Sequence, residues 1–227
     1  PNVKTKPAPN RSPRRKVLII DDHPLLRDGL AKVINQQPDL AVCGEAANAR
    51  AGLAAAAKLR PDVAIVDLSL EEGSGLDLIK DIHARDPKLP MLVLSMHPEH
   101  LYAERAIRAG ARGYLMKREP IERVLAALRK VLAGQMAVSD DIVSRLLSGA
   151  NGRAKREAPI DPAELLSDRE LDVFRALGQG LGTRQFAAQL RLAVSTIETH
   201  RANIKLKLGV TRATELVARA ARFVADD

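Results

Sequence analysis

The chain has 227 residues with a net charge of +8; 46% are hydrophobic, only 2% are aromatic, and tryptophan is absent. This length suits one large domain or two small ones, and no stretch approaches the roughly 18 apolar residues of a membrane-spanning helix. The single Cys43 excludes an internal disulfide and any cysteine-based metal cage.

The sequence opens without the apolar region of a signal peptide, so the expected compartment is the cytoplasm and no membrane partner is expected. Residues 1–16 hold six cations (Lys4, Lys6, Arg11, Arg14, Arg15 and Lys16) and no acid, whereas residues 17–133 hold 16 of each sign. Residues 134–158 and 159–227 each carry only one excess positive charge. The basic balance therefore reports chiefly a Pro-rich tail, expected to be disordered over residues 1–15, and says little about nucleic acid.

The first element is VLIIDDHP (17–24), followed by a helical stripe over 24–36 with Leu26, Leu30, Val33 and Ile34. LAVCGEA reads as a second strand, in which Cys43 is expected to be a buried, inert thiol. Residues 48–59 are an Ala-rich helix, and PDVAIVDLSL (61–70) is the next apolar run. Helix 75–85, MLVLSMHP (91–98), helix 99–109, GYLMKREP (113–120) and helix 119–132 complete the series. Short apolar runs without helical period are the mark of strands buried on both faces. Strict alternation of strand and helix predicts an α/β, flavodoxin-like (βα)5 domain over residues 16–133, with a parallel sheet covered on both sides.

The strand ends carry the chemistry. Asp21 and Asp22 follow the first strand, Asp67 the third, Ser95 the fourth and Lys117 the fifth. In a doubly wound sheet these ends open on one crevice. A carboxylate attacks phosphorus usefully only when the phosphoryl charge is neutralised. An acidic pair can hold Mg²⁺ through oxygen ligands, while a lysine and a hydroxyl can bind phosphoryl oxygens.

After residue 133 the alternation stops. A short helix is expected at 139–148, within a linker spanning 134–160 whose SGANGRAKREAP segment (148–159) is rich in Gly, Ala and charge. A small all-α domain follows over 161–225. Ser167 and Glu170 form a capping box, a Gly at 178 or 180 ends that helix, and a turn at 191–194 leads to a helix over 195–208 stopped by Gly209. The last helix covers 211–224. Two short helices joined by a tight turn read as a helix-turn-helix. Ile197, Ile204 and Leu208 share one face and must be core, leaving Glu198, Thr199, Arg201, Ala202 and Lys205 on the other. Arg201, Lys205, Lys207 and Arg212 are expected beside DNA phosphates, and Glu198 and Thr199 at base edges. Ala193 and Gly182 stand where helix caps are wanted, and His200 is expected to pack rather than ligate a metal.

These residues resemble a two-component response regulator of the NarL/FixJ class, with a receiver followed by a LuxR-type helix-turn-helix. The second half carries the resemblance through Ala187, Leu190, Thr196, Ile197, His200, Ile204, Lys207, Leu208, Val210 and Arg212. The resemblance implies that Asp67 is the phosphoacceptor and that Asp21 and Asp22 hold Mg²⁺ with it. It implies further that Ser95 is the switch hydroxyl, Tyr114 the switch aromatic and Lys117 the phosphate-sensing lysine. A sensor histidine kinase, a double-stranded DNA operator read by residues from Thr196 to Lys207, and a homodimer formed on phosphorylation are the implied partners. Leu70 and Glu71 stand where the family usually has Met-Pro, which leaves that loop freer. The apolar Leu216, Val217 and Ala220 of the last helix, or the receiver's last helix, are candidate dimer surfaces.

An aspartyl-phosphate phosphatase needs a second Asp two residues after the nucleophile; Ser69 stands there and argues against an enzyme beyond the receiver's own phosphoryl transfer. The remaining alternative is a DNA-binding regulator whose receiver acts without phosphorylation.

Overall fold

A computed structural model describes residues 13–70, 74–150, 162–189 and 193–225. Glu71 and Gly73 in the loop after Asp67, most of the basic tail, the linker from 151 and residues 191–192 of the expected turn lie outside the described residues. The chain divides into two compact units, Pro1–Glu99 with Ala106–Val138, and His100–Arg105 with Ser139–Asp227.

Up to residue 132 the chain alternates as expected: β1 (Arg15–Ile20), α1 (Pro24–Asn35), β2 (Leu40–Ala46), α2 (Ala49–Leu59), β3 (Val63–Val66), α3 (Gly75–Arg85), β4 (Met91–Ser95), α4 (Glu99–Ala109), β5 (Gly113–Met116) and α5 (Ile121–Leu132). The strands form one parallel sheet in the order β2-β1-β3-β4-β5. β3 and β4 are buried along their whole length, which explains why neither shows alternation. Val17, Ile19, Val63, Ile65, Leu92 and Leu94 build a core with Leu30 and Ile34 of α1 and Leu125, Leu128 and Val131 of α5. Cys43 departs from expectation: it is half-buried, because β2 is an edge strand. Its surroundings still raise the thiol above its ordinary value, mainly through burial, so it is poorly reactive.

The later elements are α6 (Asp140–Ala150), α7 (Pro162–Leu165), α8 (Asp168–Gly178), α9 (Thr183–Gln189), α10 (Val194–Leu208) and α11 (Ala213–Ala225). The Ser167–Glu170 capping box starts α8. Gly209, at φ 66°, takes the left-handed turn that closes α10. Gly182 offers α9 no side-chain cap, but its amide donates to Gln185 Oε1 at 3.2 Å, which supplies half of a capping box. Ala193 precedes α10 with no side-chain cap.

Phe174 of α8 is fully buried and meets Phe223 of α11 at 5.5 Å between ring centroids. Leu216 and Ala220 are fully buried too, and a Cβ on Gly178 would overlap the Ala220 carbonyl oxygen. The expected dimer stripe on the last helix is therefore corrected. Leu216 and Ala220 belong to this unit's own core, and only Val217 is exposed.

Candidate phosphoacceptor site and DNA-facing helix

Sheet order determines what meets at the C-terminal edge. The chain leaves β1 for β2 on one side and returns to β3 on the other, so the crevice opens between β1 and β3. Ile20 pairs with Val66, and the next residues, Asp21 and Asp67, emerge side by side. The Asp67 amide donates to the Ile20 carbonyl at 2.9 Å, and the Asp21 amide to that of Ala46 at 3.0 Å. Ser95 ends β4 beside Met116, and the Lys117 amide donates to the Ser95 carbonyl at 2.8 Å. All five expected residues thus reach one crevice, and Asp21, Asp67 and Ser95 are each at most 2% exposed.

Lys117 Nζ lies 2.7 Å from Asp67 Oδ2 and 2.8 Å from Asp21 Oδ2. Burial raises the Asp67 carboxyl above its ordinary range; Lys117 opposes the rise and the charge on Asp21 adds to it. Burial would lower Lys117, but the two facing carboxylates outweigh it and hold the ammonium above its ordinary value. Lys117 is therefore a fixed cation at neutral pH.

The hydroxyl and the aromatic meet on the segment after β4. Ser95 Oγ accepts from the His97 amide at 3.1 Å. Tyr114 is fully buried and donates to the His97 carbonyl at 2.8 Å. His97 Nε2 also lies 2.9 Å from Ser69 Oγ, and the Ser69 amide donates to Asp67 Oδ1 at 3.2 Å.

Asp21, Asp22, His23 and Asp67 offer ligand atoms that all lie within 4.8 Å of one another. Asp22 Oδ1 is shut off from solvent without a hydrogen bond, although His23 Nδ1 stands 2.7 Å away. A buried carboxylate oxygen left in that state suits a cation. Arg27 fixes the acidic loop from behind, donating to the Asp21 carbonyl at 2.7 Å and pairing with Glu45 at 3.2 Å.

In the second unit α10 buries Ile197, Ile204 and Leu208 as expected and exposes Glu198, Thr199 and Ala202. Thr196, His200, Arg201 and Lys205 are half-buried. Arg201 Nη1 donates to Thr183 Oγ1 at 2.8 Å and to Glu198 Oε1 at 3.1 Å. Lys207 Nζ lies 2.6 Å from Glu170 Oε2, which also accepts from the Ser167 amide at 2.7 Å. Lys207 thus differs from the expected phosphate contacts, because its ammonium is engaged inside the unit. His200 belongs to no group of possible metal ligands among the described residues.

Residues 17–129 match the family described as the response regulator receiver domain, and residues 164–220 match the bacterial regulatory proteins of the luxR family. The oxygen regulatory protein NreC of Staphylococcus aureus is 33% identical over 210 residues, covering 90% of this chain and 96% of that protein. The chain belongs to the LuxR-type response regulators. Among solved structures, this response regulator is similar to RcsB of Salmonella enterica serovar Typhimurium bound to promoter rprA in the presence of phosphomimetic BeF3⁻. That match has 27% identity and a TM-score of 0.57, covering 94% of this chain and 99% of that one. A LuxR-family regulator from Aurantimonas sp. SI85-9A1 is 29% identical, with a TM-score of 0.55 over 62% of this chain and 100% of that one. The protein is therefore a DNA-binding transcriptional response regulator of a two-component system.

Sequence reasoning missed several residues around the response regulator's crevice. His23 could have been found, since it directly follows the acidic pair. Arg27, Ser69 and His97 carry no such signal, because their partners are set by sheet order and by loops brought together in space.

Proposed function

We propose that Asp67 accepts a phosphoryl group from a sensor histidine kinase and that phosphorylation promotes a homodimer that binds a DNA operator. The observation that carries this reading is Lys117 held between Asp67 and Asp21 in a buried crevice. A carboxylate oxygen of Asp67 forms the bond to phosphorus as the bond to the donor nitrogen breaks, its electron pair staying on the donor. Lys117 carries the fixed positive charge that a phosphoryl oxygen needs. Asp21, Asp22 and Asp67 would hold Mg²⁺, which when bound supplies further charge neutralisation at the phosphoryl oxygens.

Ser95 is bonded as an acceptor in this state. Its own proton remains available for a phosphoryl oxygen, and any movement of Oγ toward that oxygen would pull on the His97 amide. The His97 carbonyl is what Tyr114 holds, so Tyr114 is the residue through which the change leaves the site. We assign the receiver to residues 16–133, the linker to 134–160 and DNA binding to 161–225. Thr196, Glu198, Thr199, Arg201 and Lys205 form the DNA-facing set, and the protein acts in the cytoplasm. No helix among the described residues is long and apolar enough to cross a membrane.

Incubation with acetyl phosphate should add one phosphoryl group, lost in Asp67→Asn and on chelation of divalent cations. Undiminished labelling of the Asn variant would remove Asp67 from this role. An Asp67→Asn protein that bound its operator as tightly as the phosphorylated wild type would favour a receiver that works without phosphorylation.

A further inference from the structure

The face that α10 turns to solvent is not the charged face expected of a DNA-reading helix. Ile197, Ile204 and Leu208 point into the unit. At helical spacing, the opposite stripe is Ser195, Thr199, Ala202 and Leu206 (i, i+4, i+7, i+11), and all four are exposed. Leu206 is 82% exposed, the highest exposure of any large apolar side chain described in this unit. The Thr199 hydroxyl spends its proton on the Ser195 carbonyl at 3.0 Å, so the stripe has little left to donate beyond Ser195. The charged side chains lie to the flanks, where Arg201 braces Thr183 and Glu198, and Lys207 is paired with Glu170.

A lone exposed leucine is ordinary on a protein surface. This one is the last member of the outward stripe, in the C-terminal turn of the helix that a LuxR-type domain presents to DNA, and it lies opposite the buried Ile197, Ile204 and Leu208. An isobutyl group can neither accept nor donate, so it gains nothing from phosphate or from the polar base edges. The one apolar feature of the major groove is the C5 methyl of thymine.

We propose that Leu206, supported by Ala202 and the methyl of Thr199, is a specificity-determining residue that reads thymine methyl groups in the operator. The inference rests on α10 being the helix that enters the major groove. Glu198 and Lys205, beside the stripe, remain the polar contacts.

The test uses the full chain treated with acetyl phosphate and an operator selected from random duplex DNA. Each thymine of that operator is replaced singly by deoxyuridine, which removes only the methyl group. Binding is measured by fluorescence anisotropy for the wild type and for Leu206→Ala. At one or more positions deoxyuridine should weaken wild-type binding roughly fourfold, the equivalent of one buried methylene. Leu206→Ala should weaken binding to the parent operator by a similar or larger factor and lose its sensitivity at that position. Because the side chain is so exposed, the variant's melting temperature should match the wild type's. Wild-type binding that ignored every deoxyuridine would overturn the inference, as would a Leu206→Ala protein still sensitive at the same position. A variant that changed only the oligomeric state would instead make Leu206 a contact between copies and overturn it too. If selection enriched no sequence and α10 variants bound DNA like the wild type, the placement of α10 in the groove would itself fail.

Discussion

Replacing Lys207 separates two roles that a cation on a recognition helix could have. Its ammonium lies 2.6 Å from Glu170 Oε2, on a carboxylate whose side chain is only 5% exposed, whereas the Lys207 side chain is 41% exposed. Lys207→Ala leaves that carboxylate with its capping-box bond from the Ser167 amide and no counter-charge. Removing one partner of a well-buried pair costs several kcal/mol, and a charged hydrogen bond about 1.5–3 kcal/mol. Water reaching the open Lys207 side reduces this to about 1–2 kcal/mol, so the helical unit should melt roughly 4–16 °C lower.

The pH dependence gives a second readout. Burial alone would raise Glu170, but the hydrogen bonds from Lys207 and Ser167 outweigh it and hold the carboxyl below its ordinary value of 4.5. A depressed carboxyl contributes stability that is present above the unfolded-state value and is lost as pH falls through the folded one. The gap between wild type and variant should therefore be full above about pH 5 and close as the medium becomes more acidic. Glu170→Gln in the Lys207→Ala background should recover part of the loss, since a neutral amide needs no cation. Thermal unfolding followed by circular dichroism between pH 3 and 7 measures all of this. If Lys207→Ala melted like the wild type while the salt dependence of DNA binding fell by about one unit, Lys207 would be a phosphate contact after all and the structural assignment would be wrong.

Gly75→Ala should slow phosphorylation sharply and destabilise the receiver by about 1–3 kcal/mol, because a Cβ there would overlap the Asp67 carbonyl oxygen and the Leu68 Cα; unchanged acetyl-phosphate kinetics would refute the close approach. Arg27→Ala should weaken Mg²⁺ binding about tenfold, read by calorimetry, through loss of the bond to the Asp21 carbonyl, with the α-helical content unchanged. Asp22→Asn should abolish the rise in melting temperature that Mg²⁺ gives the wild type, and a retained rise would remove Asp22 from the ligand set.

The receiver was readable because its signals are local and its geometry is imposed. A run such as VAIV (63–66) has no period, so it must be covered on both faces, and a parallel sheet sends every C-terminal end to one edge. Asp21 and Asp67 then have to meet, since they follow the register pair Ile20 and Val66. What the sequence hid is set by separation along the chain. The partner of Lys207 is 37 residues away and that of Arg201 18, so the cations of α10 looked alike although these two are engaged within the fold. Leu216 and Ala220 make an apolar stripe whichever surface covers them, and only the packing of α11 on α8 shows that the cover is internal. Cys43 looked buried because its strand is apolar, but edge position is a property of sheet order and has no local trace.

The two units handle phosphate under opposite constraints, which explains why net charge was a poor guide to either. In the crevice, Asp21, Asp22 and Asp67 outnumber Lys117 three to one, so the described cluster is short of positive charge by the amount one divalent cation carries. A buried cluster of that kind invites a divalent ion before it can accept a dianionic group. In the DNA-binding unit the reverse holds. Residues 159–227 have one excess positive charge, and Arg201 and Lys207 on α10 are engaged with Thr183, Glu198 and Glu170. A helix that commits two of its three lysine and arginine side chains to its own fold cannot rely on phosphate attraction alone. Under the reading proposed above, it would draw discrimination from the shape and chemistry of its outward stripe, where Ser195, Thr199, Ala202 and Leu206 are exposed between Glu198 and Asn203. If phosphorylation pairs two such weakly charged units, as proposed, the phosphate contacts available to the complex double, and DNA binding should depend steeply on dimer formation because of the charge of the monomer itself.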